Sequence, residues 1–322
     1  AYSFDPLIGE PLANAANMFG VYLVDRFGNK ELIYRDVSIG SLWPTPLRPR
    51  RRPPALASLL VKGQPNEGTF FMQNVYASWP RLKKTEGVVR HLRIVQVLPK
   101  TTPHSNTPRV GLANASPGKQ VLGTVPVESD GSAYFRAPAR IPLNFQALDD
   151  RGMAIQTMRS LTYLQPGEQA RCVGCHAHHN AAPPVANATL ASRREPSRIT
   201  PGPDGSKPLN YAILVQPILD KHCIKCHGDK NPDGGIDLTS APAGQFTRSY
   251  NALAPLVPYS EWKGTPQANH EPVTYPNQFG SWASRLMQLL SEGHEGVQLS
   301  EGEYKRLIIW MDTNALFYGT FD

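Results

Sequence analysis

The chain has 322 residues, is 40% hydrophobic and 18% charged, and carries a formal charge of +7. That balance belongs to a globular protein long enough for two or three domains, and no apolar run approaches the roughly 18 residues a membrane-spanning helix needs. The basic residues are scattered except for Arg48, Arg50, Arg51 and Arg52, so nucleic acid is not the expected partner.

Residues 1–19 show no clear period. Val21–Val24 reads as a strand, Phe27-Gly28-Asn29 as a turn and Leu32–Tyr34 as the return strand. A lone hairpin is marginal in water, so this one must pack on something. Residues 44–54, rich in Pro and Arg, read as an extended, semi-rigid linker lying as a strap over the surface. Between 68 and 165 the pattern is that of short strands with turn signals. The expected strands are Thr69–Ala77, Val88–Leu98, Val121–Val127, Ser132–Ala137, Leu143–Leu148 and Met153–Leu164, with turns at Asp130-Gly131 and Asp150–Gly152. A β-sandwich is the expectation for this region.

Pro166-Gly167 closes the last of these strands, and Cys172-Val173-Gly174-Cys175-His176 follows. A second copy of the pattern, Cys223-Ile224-Lys225-Cys226-His227, lies further on. C-x-x-C-H is the attachment motif of c-type haem. Two thiols must reach the two vinyl groups of one porphyrin, and the next residue must bring an imidazole to the iron. The two motifs use all four cysteines of the chain. One four-thiolate zinc site has the same cysteine spacing but leaves the two histidines unexplained. Disulfides between thiols two residues apart would be strained and reducible. Two covalently bound haems are therefore expected, with about four propionates offsetting part of the positive charge. Such haem is attached outside the cytoplasm, so a periplasmic or extracellular protein is expected, its numbering starting after a cleaved leader or inside a longer chain.

Past the first motif come His178, His179 and Asn180, where the histidines are either exposed loop residues or ligands to a neighbouring metal. Residues 185–209 read as an interdomain linker. Tyr211–His222 reads as an amphipathic helix with Pro217 at its last turn, delivering Cys223 as in a cytochrome c fold. Gly228, Gly234 and Gly235 mark a loop, and Ser281–Ser291 reads as a helix. Ser300–Glu303 is a capping box for a final helix. The motif makes His227 the proximal ligand of the second haem. For its other face His294, between Gly293 and Gly296, is preferred over Met287, His270 and Met311, because methionines at helix core positions are packing residues. For the first haem His176 is proximal, and no distal ligand stands out. His91 and His104 are far upstream and read as strand or surface residues.

The stretches Gly123–Ala133, Phe145–Asp149, Met158–Ser160, Pro166–Glu168 and Cys172–His176 resemble the middle domain of the hydrazine synthase alpha subunit family, and the second motif region resembles its C-terminal cytochrome domain. The resemblance implies a β-propeller before these domains, with Val21–Tyr34 similar to its final strands. It also implies chemistry at the first haem, where the family diverts the motif histidine to zinc and binds iron through a tyrosine. Here Asn180 stands at that tyrosine's place and no Tyr occurs between His176 and Tyr211, so hydrazine synthesis itself is not carried over.

The expected architecture is thus α+β and multidomain. It comprises a hairpin and linker (1–60), a sandwich-like domain carrying the first haem (61–184), a linker (185–209) and a mostly helical cytochrome c-like domain carrying the second (210–322). The expected function is electron transfer between the two haems and a redox partner protein. The alternative is a hydrazine-synthase-like enzyme acting on nitric oxide, peroxide or a similar small molecule at an open first haem. A third reading is a haem-bearing interaction module of a larger secreted protein. Cys172, Cys175, His176, Cys223, Cys226, His227 and His294 are the expected haem-binding and iron-ligating residues.

Overall fold

The computed structural model describes residues 2–3, 19–36, 38–55, 63–86, 88–102, 104, 106–175, 188–202, 204–260 and 274–320. His176, His178, His179, Asn180 and His270 lie outside the described residues. The chain divides into two compact units, 1–57 and 58–322.

The first unit is a three-stranded sheet in the order β1 (Tyr2–Ser3), β2 (Phe19–Val24) and β3 (Lys30–Tyr34). Asp25 makes its tight turn. The carboxylate accepts the amides of Phe27 and Asn29 at 2.8 and 3.0 Å. The same carboxylate also accepts the Asn29 side-chain amide at 2.7 Å. Every residue of β3 is exposed, as are residues 44–54.

In the second unit, two sheets face each other. One has the order β10 (Gln169–Cys172), β4 (Glu67–Met72), β7 (Ala133–Pro138). The other has the order β6 (Lys119–Pro126), β5 (His91–Val97), β8 (Leu143–Leu148), β9 (Ala154–Thr157). Phe70 and Phe135 of the first sheet meet Phe145 of the second edge-on, with ring centres 5.0 and 5.6 Å apart. Around them pack Leu92, Ile94, Val125, Ala147, Ile155 and Cys175. The period-two alternation of these strands puts the aromatic and aliphatic side chains on the shared face, where their burial stabilises the sandwich.

Two local expectations change. The run Met153–Leu164 is strand only over Ala154–Thr157. Residues 158–162 instead turn back across β8, with Thr162 bridged to Leu143. Gln169–Cys172 is a strand the sequence did not announce. Pro166 and Gly167, at φ +76°, turn the chain so that it runs parallel to β4, with Cys172 opposite Met72. The stretch read as a linker is, over its described residues, laid on the sheets. Ser197 bridges to Phe135, Thr200 to Thr124 and Pro208 to Gln120.

The outer face of the four-stranded sheet is covered by helices. These are α1 (Tyr211–Leu214), α2 (Gln216–His222), α3 (Arg248–Leu253), α4 (Gly280–Ala283), α5 (Arg285–Glu292) and α6 (Glu301–Asp312), with a short ladder of β11 (Pro242–Ala243) and β12 (Phe246–Thr247) before α3. The expected helix 211–222 is two pieces, because Pro217 has no amide hydrogen and begins a new helix at α2. The expected helix 281–291 is broken by extended Ser284. The α3 helix, capped by the Thr247 side chain, falls in a stretch read as loop. Its Tyr250 joins Tyr211, Trp310 and Phe317 in an aromatic core with ring centres 4.9–6.4 Å apart. The Ser300–Glu303 capping box is present at the start of α6. No helix among the described residues is long and apolar enough to cross a membrane.

Candidate functional site

The first cysteine pair is built on a sheet edge. Cys172 ends β10, and its carbonyl accepts the Gln73 amide at 2.8 Å, while Val173 accepts from Asn74 at 3.1 Å. The loop then presses onto residues 74–77. A Cβ on Gly174 would sit 1.8 Å from the Ala77 carbonyl oxygen, so only glycine fits at this position. Gly174→Ala is therefore expected to dislodge the loop and abolish haem attachment at this motif alone. Mass spectrometry of the tryptic peptide containing Cys172 and Cys175 reads this directly, and a fully haem-modified peptide would contradict it.

Beside the two thiols lies a cavity of about 330 Å3. Met72, Leu92, Phe145, Ala147 and Met158 give it an apolar wall, and Ser160, Leu161 and Thr162 form its far side. Burial raises the Cys172 thiol above its ordinary range and pushes Cys175 up to about 12, with the neighbouring Cys172 adding to the effect. A thioether to a porphyrin vinyl group is neutral and suits such an apolar wall. All four cysteines are free of disulfides. The two pairs belong to different cores, and no cluster of three or more metal-binding side chains occurs among the described residues. His91 lines a separate polar cavity with Arg151, Glu301 and Tyr304, and the His104 ring accepts the amide of Asn106. Neither faces the cysteine cavity.

The second pair sits on a helix end. The Cys223 amide donates to Leu219 at 2.8 Å and the His227 amide to Cys223 at 2.9 Å, so α2 runs straight into the motif and curls it back. Burial pushes the Cys223 thiol up to about 11. The His227 ring Nδ1 is 3.2 Å from the carbonyl of Ile236. A carbonyl only accepts, so Nδ1 carries the proton and Nε2 keeps its lone pair for a metal. Across from it stands His294. Gly293 and Gly296, at φ +94° and +72°, let the chain turn sharply between α5 and α6 and present that ring. The two imidazoles are near-parallel, 17° apart, with centres separated by 6.2 Å. Two imidazoles bound end-on to one iron at about 2 Å per bond have ring centres about 6 Å apart. Leu290, Val297, Leu299 and Tyr304 line a cavity of about 360 Å3 between the end of α5 and the start of α6. Met287 and Met311 are buried in the helical core, consistent with packing roles.

Glu303, which sequence reasoning used only as a helix cap, also anchors the residues before the motif. Its carboxylate accepts from Ser300, from the Lys221 ammonium at 2.9 Å and from the His222 ring at 3.2 Å. The Ser300 amide first, then Lys221 and the Ser300 hydroxyl, hold it well below the usual carboxylate range. A depressed carboxylate contributes stability that is full above the unfolded-state pKa, here 4.5, and is lost as pH falls toward the folded value. Glu303→Gln is thus expected to lower the melting temperature at pH 7, with the gap to wild type narrowing towards pH 3. A gap that stays constant across that range counts against the ionised clamp.

Residues 87–177 match the sequence profile of the hydrazine synthase alpha subunit middle domain. Over that segment the chain is similar to the hydrazine synthase alpha subunit. Hydrazine synthase subunit alpha of Kuenenia stuttgartiensis is 25% identical over 240 residues, covering 52% of this chain and 29% of that protein. The solved Kuenenia stuttgartiensis hydrazine synthase superposes with a TM-score of 0.58 at 21% identity, over 82% of this chain and 44% of that one. At this identity the superposition speaks to the fold, a mixed α+β arrangement of several sheets and few helices. The chain spans less than half the length of either relative.

Proposed function

We propose that this chain is the haem-bearing part of a hydrazine-synthase-like oxidoreductase that acts on a small molecule of the nitric oxide or peroxide class at its first motif. In this reading the second motif relays electrons. The observation that carries it is the apolar cavity beside Cys172 and Cys175. All its described lining residues but Met72 fall in the 87–177 segment that matches the family, and none of these described residues is a histidine, lysine or tyrosine. Bound haem supplies one-electron redox chemistry and, where an axial position is open, a place for a small ligand.

The chain's own residues divide that work. Cys172, Cys175 and, by the motif, His176 hold the first haem. Leu92, Phe145, Ala147 and Met158 exclude water from it. His178 or His179 supplies a proton-transfer group next to the motif. At the second site Cys223 and Cys226 would tether a haem and His227 and His294 would bind its iron, an arrangement that would supply electron transfer. The partner is a redox protein or a further subunit, since the relative is itself named as a subunit, and the compartment is one where c-type haem is attached.

The test is electron paramagnetic resonance of the haem-loaded chain with nitric oxide added after reduction. One haem that binds the gas in the wild type, none in Cys172→Ala/Cys175→Ala and two in His294→Ala is the expected result. Two low-spin haems that ignore it would leave a plain electron carrier, the reading that the His227–His294 pair alone would favour.

A further inference from the structure

The described lining of the cavity beside Cys172 and Cys175 has two hydroxyl-bearing side chains, Ser160 and Thr162, and no charged one. The fold gives Thr162 a defined direction. Its amide donates to the Leu143 carbonyl at 2.9 Å and its carbonyl accepts the Leu143 amide at 2.7 Å, an antiparallel bridge. Residues directly opposite each other in such a bridge put their side chains on the same face. Leu143 is fully buried in the sandwich core, and Phe145, two residues on along β8, is a wall of the cavity. The Thr162 side chain therefore projects on the cavity side. Its segment is pinned through main-chain groups. The Met158 amide donates to the Phe145 carbonyl at 3.0 Å, the Asn144 side chain donates to the carbonyls of Met158 and Ser160 at 2.8 and 3.1 Å, and the Leu164 carbonyl accepts the Arg140 amide at 2.7 Å. None of these bonds uses the Thr162 hydroxyl. That group is half-buried and has no hydrogen-bond partner among the described residues. A β-branched side chain has few χ1 choices, so the hydroxyl keeps close to one place. Ser160, by contrast, is exposed, next to Leu161 with 51% of its surface open.

We propose that Thr162 is the hydrogen-bond donor that orients the small molecule bound at the first motif. The inference deepens the reading above and rests on it. Apolar walls exclude water and fit shape, while a small number of placed polar groups fix a ligand's orientation. In this cavity the Thr162 hydroxyl is such a group: it is directed by main-chain pairing and unspent on the protein. A hydroxyl turns to donate or accept, so it serves a small neutral molecule with one acceptor atom, the kind of ligand that an uncharged cavity admits. A donor already in position also needs no rearrangement when the ligand arrives.

The test uses the full haem-loaded chain, reduced, with carbon monoxide and then nitric oxide as probes. The first haem is identified by the signal that Cys172→Ala/Cys175→Ala removes. A donor to bound carbon monoxide lowers its stretching frequency, and an exchangeable donor makes that frequency shift in D2O. The wild type is expected to show the D2O shift. Thr162→Val, which keeps the side chain's shape and the main-chain bridge, should move the band to higher frequency and abolish the shift. Thr162→Ser should restore both, and Ser160→Ala should leave both as in the wild type. Nitric oxide should leave Thr162→Val about fivefold faster, the effect of one lost hydrogen bond. A D2O shift that persists in Thr162→Val would overturn the assignment, as would one that disappears in Ser160→Ala or in His178→Ala/His179→Ala instead. A wild-type band indifferent to D2O would overturn it without any variant, so the question stays answerable if Thr162→Val fails to fold. Failure of the underlying reading shows separately, as a wild-type first haem that takes up neither gas or a Cys172–Cys175 peptide without the mass of haem, and it would remove this assignment as well.

Discussion

Asp312→Ala is expected to cost the second unit about 3–5 kcal/mol, the usual consequence of orphaning one member of a buried ion pair. Asp312 ends α6 and its side chain has no exposed surface. One carboxylate oxygen accepts Arg93 at 2.9 Å and the Ala154 amide at 3.0 Å. The other accepts the Ser281 amide and hydroxyl at 2.9 and 2.7 Å. Its carbonyl takes the Gln146 side chain at 2.7 Å. Arg93 is held in turn by Gln146 and the Gly152 carbonyl, both at 2.7 Å. One residue thus ties the last helix to β5, β8, β9 and α4, and so couples the sandwich that holds the first motif to the helices that hold the second. Gly280, at φ +57°, is part of the arrangement, since a Cβ there would come 2.5 Å from the Asp312 carboxylate. Urea unfolding followed by tryptophan fluorescence measures the loss. Arg93→Met/Asp312→Leu, which removes both charges, should cost less than the sum of Arg93→Met and Asp312→Leu. An Asp312→Ala midpoint equal to wild type would refute the coupling.

This network explains where sequence reading stopped. The six-residue run Leu143–Leu148 alternates, and alternation alone leaves Asn144 and Gln146 free to face water. Both are buried instead, because helices cover the outer face of the sheet and their polar atoms are matched one by one. Arg93 in the middle of β5 gives no local sign that its partner lies 219 residues away. The motifs, the hairpin, most sandwich strands and the α6 capping box were legible because each is a local pattern with a local cause. The β10 strand was not, because its pairing with β4 is a long-range parallel contact and the alternation of Gln169–Cys172 spans only four residues. The cavity walls at Met72 and Met158 come together only through the packing of the two sheets. His294 was the exception. Glycines on both sides of a histidine between two helices are a local signal of a ring held on a tight turn, and the structure sets that ring 6.2 Å from His227.

His294→Ala should have the largest spectroscopic effect of any single change. The haem-loaded wild type is expected to show a low-spin second haem with both axial positions filled by imidazole. The variant keeps Cys223, Cys226 and His227, so haem content should be unchanged while that haem becomes high-spin and binds carbon monoxide on reduction. His227→Ala is the harsher change, since Nε2 of that ring is the one the Ile236 carbonyl leaves available. His294→Met tests the same position differently. A thioether favours the ferrous iron, so the midpoint should rise by tenths of a volt, within the roughly 0.8 V that axial ligands control. The loop should tolerate either change, because His294 is half-buried and the turn is set by Gly293 and Gly296 rather than by the ring. A second haem that stays low-spin and closed to carbon monoxide in His294→Ala would mean that another residue reaches the iron. His270 would then be the first to replace, since the two buried methionines are fixed in the helical core.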